Sequence, residues 1–206
     1  EDASLSDKPE VLVRSAEVVD KDKHRALHIE DLSLTSGARA AVIGDPNKEL
    51  LCEVLYGLRS AEHGQVEIGG LPVRSLSLPS LRQQVALLHD DREGIIAGSI
   101  ADNLRFAKES ATLPEIRAAL AAASLWNEIS ALPHGIDTLL QSGAPGYSAS
   151  WCWRLAIARV LLQKPKLVIV NGLSESDWEL VPLFAPDAPW TLLWITEKGH
   201  PLLHKC

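Results

Sequence analysis

Gly44 and Lys48 flank Asp45-Pro46-Asn47, between a short apolar run, Ala40 to Ile43, and apolar residues at helical spacing, Leu50, Leu51, Val54, Leu55 and Leu58. A strand, a turn and a helix meeting at a glycine and a lysine is an arrangement that can hold phosphate. Backbone N–H groups cradle the oxygens, the lysine neutralises them, and a hydroxyl holds Mg²⁺ in the pattern G-x-x-x-x-G-K-[ST]. Here the second glycine is missing and Pro46 has no N–H to donate. Glu49 stands in place of the hydroxyl, where a carboxylate repels a triphosphate. Losing two charge-assisted bonds of about 1.5–3 kcal/mol each costs roughly two to four decades of affinity. A second acidic feature, Asp90-Asp91, has no partner ligands at metal-binding spacing and reads as a solvated turn. No His/Cys metal spacing and no Ser/His/Asp triad is recognisable. No metal site and no catalytic residue is therefore expected.

The elements that would position these residues follow from periodicity. Val11 to Leu34 alternates as antiparallel strands, with a turn at Ser36-Gly37. Val66 to Ile68 with Gly69-Gly70 reads as a strand and turn, and Val85 to Leu88 as a buried strand. Thr112-Leu113-Pro114-Glu115 is a helix start, with a cap, an early proline and a glutamate three residues on. Its Ala-rich continuation runs to Ala123, and Leu125 to Leu132 predicts a second short helix. Leu167 to Val170 and Thr191 to Thr196 are continuous apolar runs, as in doubly covered parallel strands. The expected class is α/β, a parallel core sheet with an antiparallel edge. Residues 1–10 read as a linker, 11–98 and 149–206 as the core, and 99–148 as a helical insert.

Composition narrows the function classes. At 206 residues the chain can bury a sizeable core. Its net charge of −7 and lack of a basic stripe argue against a nucleic-acid partner. Three cysteines without framework spacing suit a reduced setting. No apolar run reaches the roughly 20 residues of a membrane helix. The absence of Met and the start at Glu1 suggest a piece excised from a longer protein.

Several stretches in order resemble the ATPase domain of ABC transporters, with a P-loop NTPase-like fold. Gly57-Leu58, Gly64-Gln65-Val66 and Gly69-Gly70 are similar to that family's LxGLxxPxxGxIxxDG segment. Ala97-Gly98-Ser99-Ile100-Ala101-Asp102-Asn103-Leu104 and Ala131-Leu132-Pro133-His134-Gly135-Ile136-Asp137-Thr138 resemble runs of its peptide and protein exporters. Arg154-Leu155-Ala156-Ile157-Ala158-Arg159 resembles its RLAxAR helix, and Leu167 to Val170 its Walker B strand. The resemblance implies where nucleotide would be touched: Gly44, Lys48, Asp90, Ser148, Asn171 and Asp177. It also implies that those contacts are vestigial. The phosphate loop is two residues short, measured from Gly44 to Gly57. Tyr147-Ser148-Ala149-Ser150-Trp151 stands for LSGGQ, and Asn171-Gly172 for Asp-Glu. His89 or Asp90 replaces the Q-loop glutamine, and Glu197 the switch histidine, with His200 three residues late. The aromatic that would stack on adenine falls near Asp20, in a stretch read as a polar loop, VVDKDKH. Trp151 reads as an interface residue or a local core residue, with the interface favoured because aromatics are enriched there.

The expectation is a catalytically inactive ABC-type domain, a structural or regulatory module of an export system at the cytoplasmic face of a membrane. No cofactor is expected. A membrane-spanning domain and a second ATPase-like domain are the implied partners. The alternative is a degenerate, ATP-binding half of an asymmetric exporter, with ATP and Mg²⁺ as ligands.

Overall fold

The computed structural model describes residues 3–89, 94–172, 182–185 and 187–196. They fall into two compact units, one of residues 3–89, 165–172 and 187–196, the other of residues 94–164 and 182–185.

The first unit contains two four-stranded sheets. Strands β1 (Val11–Asp20) and β2 (Arg25–Leu34) form the expected hairpin, with Val11 opposite Leu34 and Asp20 opposite Arg25. Strand β4 (His63–Ile68) pairs with the other side of β1, and the two-residue β5 (Leu71–Pro72) closes the order β2-β1-β4-β5. The β1–β4 register slips between Arg14 and Glu17, where Ser15 has a φ of 45°. Gly64 lies against this bulge, and a Cβ there would stand 2.3 Å from the Ser15 carbonyl oxygen. Only glycine fits that approach.

The second sheet is parallel, in the order β3 (Arg39–Val42), β10 (Thr191–Ile195), β9 (Leu167–Asn171), β6 (Val85–His89). Every residue of β9 and β10 is buried, as their continuous apolar runs require. Helix α1 (Glu49–Leu55) buries Leu50, Leu51, Cys52, Val54 and Leu55. These join one core with Val11, Val13 and Leu27 of the antiparallel sheet and Leu167, Ile169 and Leu193 of the parallel one. Each fully buried leucine contributes about 1.5–3 kcal/mol. The helical spacing that included Leu58 overruns the helix. Leu58 N–H turns back to the Glu53 carbonyl (2.8 Å) and Gly57 N–H to Val54 (3.1 Å), with Gly57 at φ 71°. This is a Schellman closure, and it leaves Leu58 exposed. Helix α2 (Leu78–Gln84) leads into β6, capped by the Ser77 hydroxyl, which accepts from Ser80 N–H. Leu5 is buried, and its N–H donates to Gln84 Oε1 at 2.7 Å.

In the second unit, β7 (Gly98–Ser99) pairs with β8 (Leu139–Leu140) and leads into α3 (Ile100–Arg105). The expected helix start at Thr112 opens α4 (Leu113–Ala122), with Thr112 N–H donating to Glu115 Oε2 at 2.9 Å. Lys108 and these Thr112 bonds pull the Glu115 carboxyl down to about 2. The second short helix is α5 (Trp126–Ser130). Helix α6 (Ala149–Gln163) packs on α3 and α4 and ends at Lys164, φ 53°, just before Pro165.

Candidate functional site

Parallel register places Val42, Ile195, Asn171 and His89 in one row at the carboxyl ends of β3, β10, β9 and β6. In open α/β sheets that edge is where ligands bind. Gly44 and Lys48 follow Val42 by two and six residues, so the loop and Asn171 belong to the same end of one sheet.

The loop satisfies itself. Asp45 Oδ1 accepts from Asn47 N–H at 2.6 Å, an Asx turn. The Asp45 carbonyl accepts from Lys48 N–H at 3.3 Å and from Lys48 Nζ at 3.2 Å. Asn47 Nδ2 donates to the Ala26 carbonyl at 2.9 Å, tying the turn to β2. The N–H groups of Asn47 and Lys48 are thus taken up within the loop, and Lys48 is buried, its amine folded onto its own loop. Gly44 is exposed, with φ 99°. Helix α1 behind the loop has seven residues, and its first is Glu49. Asn171 is buried, an amide without charge, and Gly172 continues the ladder by donating to the Ile195 carbonyl at 3.2 Å.

A cluster that sequence reasoning missed lies beside this loop. Asp20 is not part of a polar loop. It ends β1, is 2 % exposed, and leaves only Lys21 to His24 as the turn. Its carboxylate takes Arg25 at 3.0 Å, Arg59 at 3.3 Å and Lys23 N–H at 3.2 Å. Arg25 also reaches Glu49 at 3.3 Å and Glu53 at 3.5 Å, and Arg59 reaches Glu53 at 2.8 Å. The hydrogen bond from Arg25 holds the Asp20 carboxyl below its ordinary value, and the same bond raises Arg25. The i, i+4 pair Glu49/Glu53 and the charges closing the hairpin were the available signal. Cys52 is buried nearby, and burial pushes its thiol up, away from reactivity.

Ser148 belongs to the second unit. It caps α6, its hydroxyl accepting from Trp151 N–H at 3.1 Å. Trp151 is 5 % exposed, with its ring 4.1 Å from that of Tyr147. It is a core residue of this unit, which corrects the interface reading. Asn103 and Arg159, both in the resembling stretches, interlock. Asn103 is fully buried, donates to the Ile96 and Ser99 carbonyls (2.9 and 3.0 Å) and accepts from Ile96 N–H (3.1 Å). Arg159 donates to the Asn103 carbonyl at 2.8 Å, to Asn103 Oδ1 and to the Gly94 carbonyl. Burial lowers the Arg159 guanidinium to about 10. Asp90 and Asp177, with Asp91, Glu197 and His200, lie outside the described residues. Among the described residues no group of three or more His, Cys, Asp or Glu is arranged to hold a metal, and no helix is long and apolar enough to cross a membrane.

The family profile described as "ABC transporter" matches residues 27–171. The chain belongs to the ABC transporter family. A multidrug efflux ATP-binding/permease protein of Mycobacterium bovis (strain BCG / Pasteur 1173P2) is 32% identical over 142 residues, covering 68% of this chain and 12% of that protein. An ATP-dependent lipid A-core flippase of Thiobacillus denitrificans is 32% identical over 152 residues, 72% of this chain and 26% of that protein. The chain spans between about a tenth and a quarter of the length of such curated relatives. A bacterial Atm1-family ABC exporter solved with ATP bound superposes with a TM-score of 0.84 at 21% identity, over 98% of this chain and 36% of that one. The fold is therefore the P-loop ATPase fold of ABC proteins, as the sequence resemblance implies.

Proposed function

We propose that this ABC domain neither binds nor hydrolyses ATP appreciably and serves as a structural or regulatory module of an export system. The observation that carries the reading is the loop after β3. Lys48 Nζ is folded onto the Asp45 carbonyl, and Glu49 stands where a Mg²⁺-binding hydroxyl is needed. The residues present do not fit Mg²⁺-ATP. The Asn47 and Lys48 N–H groups are taken up within the loop, the carboxyl end of β9 offers an amide, and Gly172 offers no base. Phosphoryl transfer is catalysed by positioning and charge stabilisation, and both are missing here. The vestigial contacts are Gly44, Lys48, Asp90, Ser148, Asn171 and Asp177. A membrane-spanning domain and a second ATPase-like domain are the proposed partners, at the cytoplasmic face of the membrane. Relatives named as permeases and flippases support that setting.

The second reading is the ATP-binding half of an asymmetric exporter, favoured by relatives whose names include ATP binding. Isothermal titration with Mg²⁺-ATP separates the two. We expect no binding below millimolar ATP and no phosphate release above background. Sub-millimolar binding supports the second reading, and turnover abolished by Lys48→Ala overturns the first.

A further inference from the structure

Residues 3–9, in the stretch that reads as a linker, are held against the first unit. They run past the amino ends of β6, β9 and β10, opposite the row that holds Asn171. Gln84, Lys166 and Thr191 stand at those amino ends and are joined to one another. Lys166 N–H donates to the Gln84 carbonyl at 2.7 Å, and Thr191 N–H to the Lys166 carbonyl at 2.9 Å.

Side chains of the core grip the segment by its backbone. Gln84 Oε1 accepts from Leu5 N–H at 2.7 Å, and Gln84 Nε2 donates to the Ala3 carbonyl at 3.2 Å. The Ser80 hydroxyl donates to the same carbonyl at 3.1 Å. Lys166 Nζ donates to the Leu5 carbonyl and to the Ser4 hydroxyl. The Ser36 hydroxyl donates to the Lys8 carbonyl at 2.6 Å. Thr191, fully buried, donates to the Pro9 carbonyl at 2.7 Å and accepts from Gly37 N–H at 3.0 Å. Two glycines with positive φ make room. A Cβ on Gly37 would stand 3.2 Å from Lys8 Cδ, and one on Gly69 3.1 Å from Ser6 Oγ. Leu5 and Pro9 are buried, and the residues between them are exposed or half-buried. Polar side chains that pair with backbone groups, beside a seat for one leucine, make a peptide-binding groove.

We propose that residues 3–9 are a releasable strap, seated in a peptide-binding groove at the amino edge of the parallel sheet, which lifts out while the sheet stays folded. The occupant of the groove is the chain's own segment. Leu5, Pro9 and a few side-chain bonds stand against the backbone freedom of the whole segment. They also hold Lys8 at φ 48°, a left-handed conformation that a non-glycine residue keeps only under constraint. A segment held by so little opens locally, ahead of the strands beneath it. The inference is independent of whether the domain binds ATP.

The test is native-state hydrogen exchange on the purified chain, read by NMR. The Leu5 amide is expected to be protected, yet to exchange at least about tenfold faster than the Ile169 and Leu193 amides. Lys166→Met removes a grip without touching the partner of that amide. It is expected to speed Leu5 exchange by about tenfold or more, with Ile169 and Leu193 unchanged. A tethered segment acts at an effective concentration of roughly a millimolar, so the emptied groove is expected to take the segment back in trans below that concentration. An acetylated, amidated peptide spanning Ala3 to Pro9, added to the Leu5→Asp chain, should shift the Gln84 side-chain amide resonances. The same peptide carrying Leu5→Asp should not. Leu5 exchange as slow as that of Ile169 and Leu193 overturns the proposal, as does exchange with no protection or a rate unmoved by Lys166→Met. So does loss of Ile169 and Leu193 protection in the Leu5→Asp chain, or a peptide that fails to bind it.

Discussion

Single residues show the division between packing and chemistry. Asn171 is buried at the end of β9, in register with Ile195 and His89. On the proposed reading, restoring an acid there is not expected to restore a reaction, because Glu49 still stands where a Mg²⁺-binding hydroxyl is needed. The double change Asn171→Asp with Gly172→Glu is expected to give no phosphate release. Asn171→Asp alone is expected to lose about 2 kcal/mol of stability, the cost of an uncompensated buried polar group, read from urea midpoints. Asp20 makes a second test, through pH. Its folded pKa is depressed, chiefly by the Arg25 hydrogen bond. Its contribution is therefore present above the unfolded value of about 3.9 and lost as pH falls through the lower folded value. Asp20→Asn should be less stable than the parent at pH 7. It should also lose less stability between pH 6 and pH 3, measured by chemical denaturation at each pH.

At the scale of elements, the retained stretches are those that join one element to another. The Ser99 hydroxyl accepts from Asp102 N–H, and Ser99 N–H donates to the Asp102 carboxylate, both at 2.9 Å, a capping box that starts α3. Ser99→Ala is expected to cost about 1 kcal/mol. Asn103, one residue further on, fastens α3 to α6 through Arg159 and holds the loop at Ile96. Asn103→Ala removes the side-chain partner of Ile96 and Ser99 and one acceptor of Arg159, which keeps the Asn103 and Gly94 carbonyls, and is expected to cost about 1–3 kcal/mol, read from denaturation midpoints at neutral pH. Continuous apolar runs made β9 and β10 legible, and alternation made β1 and β2 legible, because burial writes those patterns directly into residue order. The Thr112 helix start was legible because a cap is a local interaction. The Asp20 cluster was not, since a charge at a strand end becomes buried only when Arg25 and Arg59 arrive from other segments. The Lys48 contact was likewise hidden, because a loop's internal hydrogen bonds depend on dihedral angles. Trp151 was misread for a related reason: an aromatic at a helix start has the same residue type whether it meets a partner or Tyr147.

For the whole molecule, the proposed reading of the loop predicts that stability does not depend on nucleotide. A ligand that binds only the folded state adds RT ln(1 + [L]/Kd), about 2.7 kcal/mol at a hundredfold excess over Kd. In a domain of this size that is roughly 5–10 °C in melting temperature. Arg25 ties β1 and α1 together through Asp20, Glu49 and Glu53, and Asn47 ties the loop to β2. Saturating Mg²⁺-ATP is therefore expected to move the melting temperature by less than about 1 °C. Arg25→Ala should lower that temperature, and ATP should not restore it. The variant also leaves Glu49 without its Arg25 partner, while Glu53 keeps Arg59, which makes the start of α1 still less hospitable to phosphate. A rise of several degrees with ATP, in the parent or in Arg25→Ala, would mean that the loop opens readily enough to bind. The internal ties would then be a resting arrangement of a nucleotide-binding domain, and the asymmetric-exporter reading would be the correct one.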